Sequence, residues 1–224
     1  MSRCFIVGGG PTLIGFNFNK LNHQEVIAVN QAIFNLPNSK YFITMDYTFF
    51  LKTGLQGKNV RHDNRSCFIN SQAVKYFVIG FKPPRLTKVN DKCFIDNDFG
   101  LKYNLNMIDK VIESSTYGGI GTSFSDFRCG SESGYSAIQL AIILGYTDIY
   151  LLGFDFTVVK NKTHYHNAYP RENENQYMKK LEEFLTPYPK MADQVKQMGI
   201  SIYSCSEISR LNQYFKFVKL EDVL

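Results

Sequence analysis

Residues 131–166 read SESGYSAIQLAIILGYTDIYLLGFDFTVVKNKTHYH, and this stretch decides the fold class. It runs as a polar turn, an apolar helix, a short buried strand, and then an acidic residue followed by histidines. Ala137, Leu140, Ala141 and Leu144 recur at i, i+3, i+4 and i+7, with Ile138 and Ile142 widening the stripe. That spacing predicts a helix with one buried face. Ser131 or Ser133 is placed to cap its first turn, and Gly145 suits a left-handed stop. Residues 149–152 (IYLL) are too short a run for a second helix and are bounded by Gly153, as in a strand buried on both faces. Asp155 follows the strand, and Thr163, His164, Tyr165 and His166 lie in the loop beyond. In open α/β sheets, ligands sit at the carboxyl ends of strands beside helix N-termini, so this stretch outlines a candidate site.

The pattern repeats outward. Residues 3–7 form a first apolar run that passes directly into Gly8-Gly9-Gly10-Pro11-Thr12-Leu13. Residues 25–30 (EVIAVN) and 41–46 (YFITMD) read as a second and a third strand, ending in Asn30 and Asp46. Further strands are expected at 76–79 and 200–203, with a fragment at 94–96. Residues 117–122 (YGGIGT) read as loop. A helix over 172–184 is stopped by Pro187 and Pro189, and a second over 190–198 is closed by Gly199. From 211 onward the chain suits a helix or an edge strand. Alternating strands and helices predict a Rossmann-like, doubly wound α/β fold: a mostly parallel sheet with helices on both faces. A single domain over 1–224, with a small lid or loop insertion around 156–172, is the economical organisation for 224 residues.

Composition narrows the function classes. Apolar residues make up 44% and charged residues 20%, ordinary for a globular protein. The net charge of +5 is scattered, which suits a phosphorylated ligand but is no nucleic-acid footprint. Five widely spaced cysteines without a CxxC pair indicate neither a zinc ribbon nor a redox dithiol, and fit a reducing cytoplasm. No apolar h-region precedes Gly8, and Gly145, Asp148 and Gly153 break the most apolar stretch, so neither a signal peptide nor a transmembrane segment is expected.

The glycine turn after strand one can bring backbone amides close to a phosphate, although it is neither GxGxxG nor a Walker loop. Its alternative is a plain tight turn. Asn30 can bond a base or ribose, or cap a turn; Asp46 can meet a ribose or metal, or cap a helix. Asp155 shares that ambiguity and can simply satisfy loop amides. His164 and His166 are the general-base candidates, because imidazole titrates near neutrality, and their other reading is a pair of solvated loop residues.

Taken together, the GxGPSL-like turn, the strand-two asparagine, SG…A…LA..LGY..IYL.G.DF and the following histidine resemble two related families. One is the bacterial sialyltransferases of glycosyltransferase family 42, which use CMP-sialic acid without a metal. The other is the pyrophosphokinase-like domain family associated with hydroxymethylpterin synthesis and motility-linked glycosylation. The resemblance covers the first fifty residues and 131–211. It implies that Gly8, Gly9, Gly10, Pro11, Thr12 and Asn30 hold the nucleotide, and that Ser133 and Gly134 open a helix pointing at its phosphates or at the sugar. It also implies His164, in the context Thr163-His164-Tyr165, as base on the acceptor hydroxyl, with Tyr165 and Tyr169 assisting the departing phosphate. The family's arginine falls at Gly130, beside Ser131, and its strand-three asparagine falls at Asp46.

Three readings follow. The first is a transferase using a CMP-sialic acid-like nucleotide-sugar donor and a glycan acceptor. The second is phosphoryl or pyrophosphoryl transfer from a nucleotide, with Mg held near Asp46 or Asp155. The third is a nucleotide-binding module without catalytic groups. A second copy of the chain stands as a further candidate partner.

Overall fold

The apolar runs become neighbouring strands of one sheet. The computed structural model describes residues 2–46, 49, 64–80, 108–114, 116–169 and 173–224. In chain order the strands are β1 (Arg3–Val7), β2 (Val26–Val29), β3 (Tyr41–Thr44), β4 (Val74–Ile79) and β5 (Lys110–Glu113). They continue with β6 (Thr116–Tyr117), β7 (Arg128–Cys129), β8 (Asp148–Leu152), β9 (Ser201–Ser204) and β10 (Lys216–Phe217). The α-helices are α1 (Asn64–Asn70), α2 (Ser133–Ile143), α3 (Glu174–Leu185) and α4 (Tyr188–Gln197).

Eight strands form one sheet in the order β10-β9-β8-β1-β2-β3-β4-β5, with parallel pairing throughout. From β1 the chain winds outward to β5, and from β8 it winds the other way to β10. The boundary between β1 and β8 is therefore the topological switch point, where doubly wound sheets open their ligand crevice. The Rossmann-like α/β expectation holds.

Alternation along each strand sorts the core into two layers. Cys4 and Ile6 of β1 join one cluster with Leu140 of α2 and Met191 of α4. Phe5 and Val7 join the other, with Leu21, Ile33 and Phe68 from short 3-10 turns and α1. No described helix is long and apolar enough to cross a membrane.

Several local expectations need correction. Helix α2 is buried from Ser133 through Ile142, not along one stripe, because a second layer covers its far side. Tyr135 donates its hydroxyl to the Gly119 carbonyl at 2.9 Å. Gln139, fully buried, accepts from the Gly121 amide and donates to the Gly121 carbonyl, each at 2.8 Å. The segment read as loop over 117–122 therefore starts in a strand, with Thr116 and Tyr117 paired to Arg128 and Cys129.

Pro189 does not stop a helix but lies in the first turn of α4, where a missing N–H has no partner to lose. Strand β5 escaped the sequence reading because only Ile112 of KVIE is buried. After residue 211 the chain uses both options in miniature, a 3-10 turn and the edge strand β10. The fragment expected at 94–96 and the helix start expected at 172 lie outside the described residues.

Replacing Gln139 by Leu would strand both backbone groups of Gly121 in the interior. The expected loss is about 2–5 kcal/mol of unfolding free energy by denaturant titration, against about 1 kcal/mol for Tyr135→Phe.

Candidate functional site

Parallel pairing of Arg3–Val7 with Asp148–Leu152 brings two loops together at the carboxyl edge. Gly8 N donates to Leu152 O and Gly10 N to Gly153 O, both at 2.8 Å. A Cβ at Gly8 or Gly10 would stand 2.8 or 2.7 Å from the Gly153 carbonyl, so this approach admits only glycine. Beyond it, Pro11–Leu13 is a three-residue 3-10 turn, shorter than the helix expected behind a phosphate loop. Thr12 donates its amide and its hydroxyl to the Asp155 carboxylate at 2.8 and 2.7 Å. Asp155, only 1% exposed, and Thr12 are thus spent on one another. Of the turn's backbone donors, the Gly9 amide has no partner among the described residues.

The loop after β8, over residues 156–169, folds directly over Gly9. Its outer part is a small hairpin in which Val159 bridges Lys162, with Lys160 and Asn161 both left-handed, as in a type I′ turn. Its inner part is anchored by Tyr165 N donating to Gly9 O at 3.1 Å. A Cβ on Gly9 would meet the His164 ring at 3.1 Å and the His166 Nε2 at 3.6 Å. The two imidazoles lie 5.2 Å apart, and the Tyr169 ring sits 4.7 Å from His164 and 5.3 Å from His166. His164 Nδ1 is 3.0 Å from the Thr163 hydroxyl, and its Nε2 is 3.4 Å from the Tyr177 hydroxyl of α3. The Tyr165 ring packs on Phe18 and edge-on against His166, with centroids 4.9 Å apart, and its hydroxyl accepts from Asn35 at 3.0 Å.

Asn30 completes this cluster from the tip of β2. It adopts a left-handed φ of 52°, and its side chain hydrogen-bonds the Tyr169 phenol. Its Oδ1 is buried and has no partner among the described residues. Asp46, past β3, lies close enough to act on the same phenol. Burial, then Asp46, raises the Tyr169 pKa far above the ordinary phenol range, so it remains a hydrogen-bond donor. Burial pushes His164 down to about 4, helped by Lys180, and His166 down to about 3, helped by His164. Both imidazoles are neutral near pH 7 and can accept a proton.

The N-terminus of α2 differs from expectation. Neither serine caps it. Glu132 does, accepting from the amides of Gly134 and Tyr135 (the latter at 2.6 Å) and from the Tyr188 hydroxyl at 2.6 Å. Burial raises its pKa against the pull of those three donors. Ser133 instead accepts from the Met45 amide at 3.0 Å, and exposed Ser131 pairs with the Tyr117 hydroxyl at 2.7 Å. Gly130 packs against the Tyr135 ring, and Arg128 forms a fork with Asp126 at 3.2 Å. Gly134 abuts Phe154, whose ring also lies 3.2 Å from a Cβ built on Gly8. Helix α2 thus starts one side chain away from the glycine turn.

The structure brings together Gly9, Asn30, Asp46, His164, His166 and Tyr169. It engages Thr12, Asp155, Ser131 and Tyr165 in contacts of their own. Tyr177 and Glu132 were missed by the sequence reading. Tyr177 shares a face with Leu181 and Leu185 and looks like any core residue. Among the described residues, no three His, Cys, Asp or Glu side chains converge as metal ligands.

No family model matches the chain, and no curated protein sequence does. Solved structures do. The sialyltransferase CstII from Campylobacter jejuni, in complex with the substrate analogue CMP-3FNeuAc, superposes with a TM-score of 0.51 at 15% identity, covering 97% of this chain and 86% of that one. This chain has the sialyltransferase fold. A second CstII structure, with cytidine-5'-monophosphate, gives 0.49 at 18% identity over 97% and 85% of the two chains. The monofunctional alpha-2,3-sialyltransferase Cst-I from Campylobacter jejuni gives 0.46 at 18% identity over 97% and 80%. At this identity, the likeness to the sialyltransferases is one of fold.

The depressed imidazoles predict an acid-sensitive lid. The unfolded chain takes up protons near pH 6.5, whereas the folded His164 and His166 resist until about 4 and 3. Folding stability is therefore complete above 6.5 and declines as pH falls through that window. The double variant His164→Gln, His166→Gln should show a shallower fall in melting temperature between pH 6.5 and 4 than the parent chain.

Proposed function

We propose that the chain is a glycosyltransferase that binds a nucleotide-sugar donor across the β1–β8 switch point. The observation that carries this reading is the Asn30 Oδ1, buried at the carboxyl edge beside the Tyr169 phenol and without a partner among the described residues. A buried acceptor left without a donor is costly, and a ligand N–H or O–H from a base or ribose would relieve it. The sialyltransferase fold supports the reading, with CMP-sialic acid as the reference donor, because CstII is described with a CMP-sugar analogue.

In this mechanism His164 is the catalytic base. Its neutral ring takes the proton of an acceptor hydroxyl, whose oxygen attacks the anomeric carbon. The bond from that carbon to the nucleotide breaks, and its electron pair leaves with the phosphate. Tyr169, held protonated, donates a hydrogen bond to the departing oxygen. A bound phosphate anion also raises the His164 pKa back toward neutrality, which improves it as a base. The acceptor is a glycan hydroxyl, and the reaction belongs to the cytoplasmic side of glycan assembly.

The magnesium alternative fits less well. Asp155, one of its two proposed ligands, has both carboxylate oxygens engaged by Thr12. Asp46 remains at the edge without a second described carboxylate assigned beside it.

The test pairs binding with turnover. Nucleotides that bind the folded state raise its melting temperature by mass action. CMP, CDP, UDP, GDP and ATP should be compared with and without Mg, and a metal-independent shift is expected. His164→Ala should keep that shift while donor turnover falls by about 10²–10⁴-fold. A shift that needs both Mg and a triphosphate would replace glycosyl transfer by phosphoryl transfer, and a shift without turnover would leave a binding module.

A further inference from the structure

We propose that His166 is a fixed N–H donor to the nucleotide phosphate and not a second base. The inference rests on the nucleotide-sugar reading above and assigns a phosphate contact within that site.

A neutral imidazole donates at one ring nitrogen and accepts at the other, and its surroundings choose which. In the sequence His164 and His166 are equivalent, two residues apart in one loop. The structure separates them. The amide of Ala168 donates to His166 Nδ1 at 3.3 Å. A nitrogen that accepts from an N–H carries no proton of its own, so the neutral ring holds its proton on Nε2. The ring is neutral near pH 7, because burial and the neighbouring His164 hold its pKa at about 3. A proton arriving at Nδ1 would also have to displace the Ala168 amide.

His164 is held differently. Its Nδ1 lies 3.0 Å from the Thr163 hydroxyl and its Nε2 lies 3.4 Å from the Tyr177 hydroxyl. A hydroxyl can donate or accept, so His164 is satisfied in either tautomer. A backbone amide can only donate. The backbone therefore fixes the proton of His166, while that of His164 can move.

The protonated nitrogen lies toward the glycine turn. Of all His166 atoms, Nε2 comes nearest to a Cβ built on Gly9, at 3.6 Å. A Cβ stands roughly 2.5 Å from the nitrogen of its own residue, so the Gly9 amide is no more than about 6 Å from Nε2. A phosphate can span that gap, with one oxygen on each N–H. Neither group has a partner among the described residues. Tyr169 stands beside them, its ring 5.3 Å from His166 and its phenol protonated.

This arrangement suits a charge that grows during the reaction. As the bond from the anomeric carbon to the nucleotide breaks, its electron pair passes to a phosphate oxygen. Donors already in place stabilise that charge without reorganising. A neutral imidazole N–H does so without giving up its proton, and His164 alone takes the proton of the acceptor.

Nuclear magnetic resonance of the labelled histidine nitrogens reads the tautomer in the parent chain. At pH 7, His166 should show a bare Nδ1 and a protonated Nε2. Whichever of CMP, CDP, UDP, GDP or ATP gives the thermal shift should move the Nε2 proton downfield as the new hydrogen bond forms. Calorimetric titration with the same nucleotide then compares three variants. His166→Gln places an amide N–H where Nε2–H stands and should keep affinity within about threefold. His166→Asn carries an amide too short to reach, and His166→Phe keeps a ring without a donor. Each of these two should lose about tenfold or more, the worth of one hydrogen bond to a charged group.

Unchanged affinity in the Asn and Phe variants would overturn the proposal and leave the nucleotide site standing. So would equal losses in all three variants, which mark a packing role, or a proton found on Nδ1. Should the Asn and Phe variants not fold, the tautomer and the movement of the Nε2 proton in the parent chain decide alone. Failure of every nucleotide to bind would instead remove the nucleotide site itself, and with it both readings.

Discussion

The pairing of β1 with β8 governs the rest of the molecule. Two segments far apart in the sequence lie in parallel register over Arg3–Val7 and Asp148–Leu152. Both finish at the same edge, because parallel neighbours run in one direction. Their loops therefore meet. The Gly8 and Gly10 amides bind the carbonyls that close β8, and Asp155 binds Thr12 across the junction. Four consecutive residues of β1 are inaccessible to water, so this register is held by burial on both faces as well as by hydrogen bonds.

The resulting edge is a place of guarded charge. Its carboxylates are paired or capped within the protein, its imidazoles are kept neutral by burial, and its phenols are kept protonated. Such an edge offers hydrogen-bonding groups more than net charge. Asn30 illustrates this, with one end of its amide satisfied by Tyr169 and the other left open. The same economy explains why the lid can lie directly on Gly9. Neutral rings pack against a bare backbone without a desolvation penalty that charged side chains would bring.

Gly9 shows how one residue can serve two layers. Its carbonyl anchors the lid through Tyr165, and its missing side chain admits His164 and His166. Tyr165 gives the lid a second fixed point on Asn35 and Phe18. Between those anchors, the Thr163 hydroxyl and the Tyr177 phenol set the orientation of His164. His164 is thus positioned by contacts from its own loop and from α3, not by the strand that precedes it.

Much of this architecture is written locally. Cys4–Val7, Val26–Val29, Phe42–Thr44 and Ile149–Leu152 are short apolar runs closed by turn residues, and water alone drives such runs into the middle of a sheet. Gly145 and the glycine turn are equally plain, the first for its left-handed φ and the second for the close backbone approach it permits. Strand β5 is not plain, because a four-residue edge strand with one buried side chain carries no periodic signal. The capping of α2 is decided at long range. By local preference Ser131 and Ser133 both outrank Glu132, but Met45 takes the hydroxyl of Ser133, Tyr117 takes that of Ser131, and Tyr188 holds the carboxylate. The sequence by itself determined where the strands end and which polar residues stand at their tips, because burial and backbone conformation are local constraints. Only the tertiary structure decided which of those tips bind each other and which remain open to a ligand, because hydrogen-bond partners from distant segments make that choice.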